Sequence, residues 1–295
     1  MAEPKFIHLR VHTAYSLSEG AMKVPALVHR LHDLGVPAIA VTDTANMFGG
    51  KAFSKYAADE GIKPILGCQF YLRNPDADDV LKSKGRIVEP DKIVLLVMNA
   101  EGYANIMHLM KASYLDNPQS NEKPQIKISD LEKYNAGLIA LTGGVEGQIG
   151  RLILERRLEE AENCTVKLQQ LFGDRLYMEI SRIGLDTERQ TEDTFIDWAY
   201  KYNIPLVATN EAFFFDVDMY EAHDALVCIA AAEYVANDNV KNSLQTTAYV
   251  QRQRWWSCLP ICRKPWKTQL ILPNVVAICL KKLVRCYRFL SVRAD

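Results

Sequence analysis

The chain has 295 residues, 48% hydrophobic and 24% charged, with a net charge of −1. Those proportions exclude a disordered tail, a collagen and a disulfide scaffold, but the net charge conceals a split: residues 1–238 carry 24 basic and 35 acidic side chains, residues 239–295 carry 11 basic and one acidic, Asp295. The N-terminus has no signal-peptide core, no apolar run reaches spanning length, and seven unevenly spaced cysteines suit a reducing compartment, so a cytoplasmic protein without membrane contact is expected.

In chain order, residues 6–11 read as a strand. Val24, Leu27, Val28, Leu31 and Leu34 then recur at helical spacing, and Gly35 reads as the C-cap. Residues 37–41 form a second apolar strand, 52–60 a helix, 62–72 a strand, 93–97 a strand and 101–115 a helix. A strand over 137–141 precedes one long helix over 152–172, closed by Gly173. A strand over 176–180, a helix over 187–202, a strand over 206–209 and a helix over 219–232 complete the pattern. Strands that are apolar throughout and separated by helices predict a parallel sheet covered on both faces. About seven such strands fit either an open sheet or a barrel. Residues 73–90, rich in Asp, Lys and Pro, read as a loop.

In parallel α/β folds, sites form at the C-terminal ends of strands. The first strand ends on His8, Arg10 and His12, with Ser16, Ser18 and Glu19 following; the second on Thr42, Asp43, Thr44 and Asn46. The third leads into Gly67, Cys68 and Gln69, and the last into Thr209, Asn210 and Glu211. One polar mouth drawn from distant segments is expected.

Six ordered blocks carry a resemblance: FIHLRVHTAYSLSEG, AIAVTDTANMFG, GIKPILGCQFYL, IVLLVMNAEGYANIMHLM, GLIALTGG and PLVATNEAFFFD. Together they resemble the PHP (polymerase and histidinol phosphatase) domain. More closely, they resemble the PHP domain that opens bacterial DNA polymerase III alpha subunits, over about residues 5–235. The resemblance implies a distorted (β/α)7 barrel, a cytoplasmic setting and a role in DNA replication. It also implies that polymerase subunits are the partners, the proofreading exonuclease first, with DNA reached only through a full-length polymerase.

Active PHP enzymes hold a divalent metal cluster (Zn, Mn or Mg) on His and carboxylate ligands and hydrolyse phosphate esters, because bridged metals generate a nucleophilic water and stabilise charge on phosphate. Mapped onto this chain, the family's HxH becomes Arg10-Val11-His12. Glu19 stands at an acidic or His position. Asp-His becomes Asp43-Thr44. The acid after Gly-Cys becomes Gln69, and a His before the hydrophobic strand becomes Lys92. Asn-Asp-x-His becomes Asn210-Glu211-Ala212-Phe213. Only His12, Glu19, Asp43 and Glu211 remain as ligands if any metal binds. Arg10 and Lys92 add cations that cannot ligate while protonated. No confident catalytic residue and no cofactor are expected: Arg10 stands in for a metal ion. The competing reading is an enzyme, a metal-dependent phosphoesterase or 3′–5′ exonuclease.

Other groups read as structural. His29, His32 and His108 lie on helical patterns, His223 in EAHDAL reads as a cap or packing residue, Cys68 as a small buried residue, and Asp216/Asp218 as a loop feature. The palm carboxylates and fingers of a polymerase are absent, so no polymerisation is expected of this chain alone. Domain boundaries are expected at 1–238 for the PHP domain and 239–295 for an irregular basic tail. The tail combines Trp255, Trp256 and Trp266 with Cys258, Cys262, Cys279 and Cys286. Its lost acidity and abrupt change of composition are what a shifted reading frame produces, in a truncated chain. Charge and stacking on nucleic acid is the functional alternative.

Overall fold

In a computed structural model of the chain, residues 7–74, 90–116 and 123–232 are described. The basic tail over 239–295 and most of the 73–90 loop lie outside the described residues. The chain divides into two compact units. The first comprises, of the described residues, 7–68, 181–185 and 208–232; the second comprises 69–74, 90–116, 123–180 and 186–207. The architecture is mixed α/β, the class expected, and among the described residues no helix is long and apolar enough to cross a membrane.

The first unit contains helix α1 (Val24–Asp33), strand β1 (Ala38–Val41), helix α2 (Gly50–Asp59) and the start of strand β2 (Lys63–Leu72), which pairs with β1 in parallel, Ala38 opposite Lys63 through Val41 opposite Leu66. Helix α8 (Tyr220–Ala231) also belongs to it. Helix α1 buries Val24, Leu27, Val28 and Leu31, the residues whose spacing predicts it. Strand β1 is buried along its whole length, which is why it reads as a continuous apolar run.

The first predicted strand departs from expectation. Phe6 lies outside the described residues, and 7–13 form no ladder. The segment makes two isolated parallel bridges, Val11 with Ala212 and Thr13 with Met22. Its backbone is still hydrogen-bonded on two sides: Ala40 N–H donates to His8 O and Thr42 N–H to Val11 O, both at 2.9 Å, while His12 N–H donates to Ala212 O at 2.9 Å. The Val11 amide goes to the Thr42 hydroxyl at 3.1 Å instead of to a backbone carbonyl, so a side chain interrupts the pairing.

The second unit contains β3 (Asp91–Val97), α3 (Ala100–Lys111), β4 (Gln125–Ile126), α4 (Ile128–Tyr134), β5 (Leu138–Leu141), α5 (Gln148–Leu154), α6 (Leu158–Phe172), β6 (Leu176–Ser181), α7 (Asp186–Lys201) and the start of β7 (Leu206–Thr209). Three expectations are corrected here. The sheet is not all parallel: β3 and β5 run antiparallel, Val94 opposite Leu141 through Val97 opposite Leu138, whereas β5 and β6 are parallel. Burial on both faces gives the same apolar run in either direction, so the sequence pattern carries no sign of it. The long helix over 152–172 is two helices, α5 and α6, broken at Arg156, whose φ is +62°. Finally, β4 and α4 were not anticipated. Helix α4 begins where the Lys127 amide donates to the Asp130 carboxylate at 2.9 Å.

Candidate functional site

The expected polar residues converge within the first unit. Two cross-links bring the segments together. Residues 10–12 hydrogen-bond to Ala212 through the backbone, and Ala21 N–H donates to Phe213 O at 2.9 Å. Gly20 allows the turn to fold back, since a Cβ there would overlap the Thr13 carbonyl. Arg10, His12, Asp43 and Glu211 are all buried.

At the centre, Glu211 Oε1 lies 2.9 Å from an Arg10 guanidinium nitrogen and 3.0 Å from His12 Nε2. One carboxylate oxygen is thus shared by the two residues of the Arg-Val-His motif. Neither approach has the geometry of a directed hydrogen bond to that oxygen. Phe213, two residues beyond Glu211, stacks on the His12 ring with centroids 4.5 Å apart and planes 18° apart.

Asp43 is committed on both oxygens. The Thr13 amide (2.6 Å) and the Ser16 hydroxyl (2.7 Å) donate to Oδ1, and the Thr13 hydroxyl donates to Oδ2 at 2.8 Å. Thr44 donates its hydroxyl proton to Glu19 Oε2 at 2.6 Å, and its amide donates to Ser16 Oγ at 3.1 Å. The proton count around His12 follows. A hydroxyl has one proton, and Ser16 and Thr44 both give theirs to carboxylates. Their oxygens therefore face His12 Nδ1, at 3.2 and 3.3 Å, as acceptors. The imidazole carries a hydrogen on Nδ1, while Nε2 meets a carboxylate.

Glu211, His12 and Ser16 stand in the order carboxylate–imidazole–hydroxyl, the order of a nucleophilic triad. They cannot work as one here. Ser16 is fully buried, its proton points to Asp43, and its oxygen already faces an amide and an imidazole. Cys68 is no nucleophile either: burial, and then the Asp43 charge, push its thiol well above the usual range.

Two further histidines are neutral packing groups. Burial holds His8 down to about 3. His223 is lowered by burial as well; its Nε2 lies 2.7 Å from the Glu19 carbonyl, and Phe214 packs against its ring at 4.8 Å. His223 thus fixes the turn that carries Glu19, a role the sequence reading gave only as capping or packing. Ser16 was expected at the polar mouth and stands there; Thr13 was not expected, although its amide and hydroxyl both hold Asp43. Its signal was available, a hydroxyl directly after His12, but a short polar residue after a strand reads equally as a turn.

Two expected members belong to the second unit. Gln69 is buried in β2, and Lys92 holds Glu146 with its ammonium 2.9 Å from both carboxylate oxygens. Lys92 is therefore engaged locally by a carboxylate that the sequence reading did not pair with it.

The donor chemistry tests whether a metal cluster fits these residues. Among the described residues, no group of three or more His, Cys, Asp or Glu side chains is placed to hold an ion. Asp43 has both oxygens taken by protein donors, and the Glu211 oxygen facing His12 also faces a guanidinium, which repels a cation. The residues as placed do not fit the metal cluster that the sequence motif implies.

Comparison with known proteins adds the following. The family model described as PHP domain matches residues 8–183. The chain is similar to the DNA polymerase III subunit alpha of Caulobacter vibrioides, with 36% identity over 233 residues, 79% of this chain and 20% of that protein. It is similar to the subunit of the same description from Vibrio cholerae, with 36% identity over 229 residues, 78% of this chain and 19% of that one. With the subunit from Borreliella burgdorferi it shares 32% identity over 250 residues, 84% of this chain and 21% of that one. The chain spans about a fifth of the length of these relatives. Among solved structures, an amidohydrolase from Chromobacterium violaceum with bound sulfate and no metal is 14% identical, covers 71% of this chain and 88% of its own, and gives a TM-score of 0.45.

Proposed function

The chain belongs to the PHP domain family, and on that premise we propose that it is a non-hydrolytic PHP domain of a replicative polymerase alpha subunit, a scaffold that docks the proofreading exonuclease subunit. The observation that carries the reading is the Arg10–Glu211 pair. In a metal-dependent phosphoesterase, the cluster of Glu19, Asp43 and Glu211 would be neutralised by divalent ions. Here a guanidinium on Glu211 and hydroxyl donors on Asp43 and Glu19 do that work, and Arg cannot lose its proton to become a ligand. With the Asp43 oxygens held by protein donors, a guanidinium on Glu211 and the Ser16 proton on Asp43, no residue of the site is placed to generate or act as a nucleophile toward phosphorus.

The docking role rests on the similarity to alpha subunits, and a cytoplasmic setting beside the replication machinery is part of the same proposal. The net charge of −11 over residues 1–238 supports contact with DNA only through the rest of a polymerase.

Three measurements test the reading together. Element analysis of the purified chain is expected to find less than one Zn, Mn or Mg per chain, and a 3′-labelled oligonucleotide is expected to stay intact with added Mn²⁺. Two or three metals per chain, with hydrolysis lost in His12→Ala, would establish the phosphoesterase or 3′–5′ exonuclease reading instead. Co-purification with the proofreading exonuclease subunit of the same organism is expected; its failure would leave the scaffold role without support.

A further inference from the structure

The buried network described above has an exposed rim that the site does not use. Three large apolar side chains stand there: Tyr15 at 39%, Leu17 at 72% and Phe48 at 69% exposure. They sit on two loops, 13–19 and 44–49, both in the first unit. The loops are fastened to each other. The Asn46 amide donates to the Tyr15 carbonyl at 2.8 Å, and the Phe48 amide donates to the Asn46 side chain at 3.2 Å. The Tyr15 ring lies against Gly49, so closely that a Cβ there would fall 2.7 Å from Cδ2. Below them, Ser16 and Thr44 tie the same loops through Asp43 and Glu19.

Loop tips in water are ordinarily polar. Exposed apolar groups on fixed loops are the reverse of what solubility favours, and they suit binding because little ordering entropy remains to be lost. The charge beside them is basic. Lys51 follows Phe48 on the first turn of α2, Lys55 lies one turn further, and both are exposed. The nearby Glu19 carboxylate is held by the Thr44 hydroxyl.

We infer that Tyr15, Leu17 and Phe48, flanked by Lys51 and Lys55, form a docking surface for an apolar segment with acidic residues on a partner protein. The inference rests on the scaffold reading of the previous section and adds the surface and the chemistry of what it takes. Apolar contact supplies the affinity, and the lysines select an acidic flank and raise the association rate at low salt.

The test titrates the purified proofreading exonuclease subunit against the full chain and three variants, Leu17→Ser, Phe48→Ser and Lys51→Glu, with melting curves on each. All three positions are exposed, so melting temperatures within about 2 °C of the parent are expected. Leu17→Ser and Phe48→Ser are each expected to weaken binding by at least tenfold. Lys51→Glu is expected to weaken it about threefold at low salt and to flatten the salt dependence. If the parent chain binds and the Leu17 and Phe48 variants bind equally well, the surface assignment is wrong while the scaffold role stands. If the parent chain does not bind, both fall. A dT20 oligonucleotide is the control: binding by the parent chain that disappears in the same two variants would assign the surface to single-stranded DNA and overturn the inference.

Discussion

Arg10 shows how one side chain changes what its neighbours can do. Its guanidinium and Glu211 are both buried, with side-chain exposures of 4% and 10%. A buried pair of this kind contributes little net stability against an apolar replacement, but removing one partner strands the other's charge. Arg10→Met is therefore expected to destabilise the chain by about 3 kcal/mol, read from urea unfolding. Arg10→Met combined with Glu211→Leu is expected to recover part of that loss, because the stranded carboxylate goes too. His8 gives a second expectation. Burial depresses it to about 3, so between the ordinary value of 6.5 and that value the unfolded chain binds a proton that the folded chain refuses. Its contribution is complete above 6.5 and declines as the pH falls toward 3. Over pH 6 to 4.5 the parent is expected to lose stability faster than His8→Gln, by a slope approaching about 1.4 kcal/mol per pH unit. At this scale the sequence was informative about residue types. His12, Asp43 and Glu211 could be picked out; His12 and Glu211 lie 3.0 Å apart, and Asp43 is linked to His12 through the Ser16 hydroxyl. What it could not give was the direction of each proton, which depends on Thr13, Ser16 and Thr44 standing within hydrogen-bond reach.

Four of the helices, α1, α2, α5 and α7, end in one recurring way. After α1, Gly35 N–H donates to His32 O and Val36 N–H to Leu31 O. After α2, Gly61 and Ile62 repeat the pattern on Ala58 and Ala57, and after α7, Asn203 and Ile204 repeat it on Tyr200 and Ala199. Each is a Schellman ending with the residue after the cap at positive φ. Glycine and asparagine announce such endings in the sequence. Helix α5 ends identically, Arg156 donating to Ile153 O and Arg157 to Leu152 O, but with arginine in the left-handed position. That is why residues 152–172 read as one helix: nothing in an Arg-Arg pair signals a stop. A non-glycine residue there costs about 1 kcal/mol. Arg156→Gly is expected to raise stability by roughly that amount, about 2–4 °C in melting temperature for a chain of this size. Strand direction failed for a different reason. In β3 and β5 both faces are buried, and an apolar run has no polarity to read.

At the scale of the whole chain, the charge split and the fold tell one story over the described residues. The acidic part supplies both compact units, and its buried charged groups lie at the Arg10 site, at the Asp91–Arg151 pair, where Arg151 Nε lies 2.6 Å from Asp91, and at Glu179, Glu188 and Asp224. The first unit is assembled from pieces far apart in the chain, 7–68 with 208–232. Its central ion pair joins position 10 to position 211. Arg30 and Asp216, 2.5 Å apart, repeat that span, as does His223 on the Glu19 carbonyl. That arrangement has a consequence on the ribosome. The opening segment cannot reach its final partners until about 200 further residues have been made, roughly 10–40 s at ordinary elongation rates. Through that interval Ile7, Leu9 and Val11, each at most 2% exposed once folded, have no completed unit to enter. The earliest part of this chain to be synthesised is among the last to be sealed, and its exposure to chaperones and to aggregation is set by translation time rather than by stability.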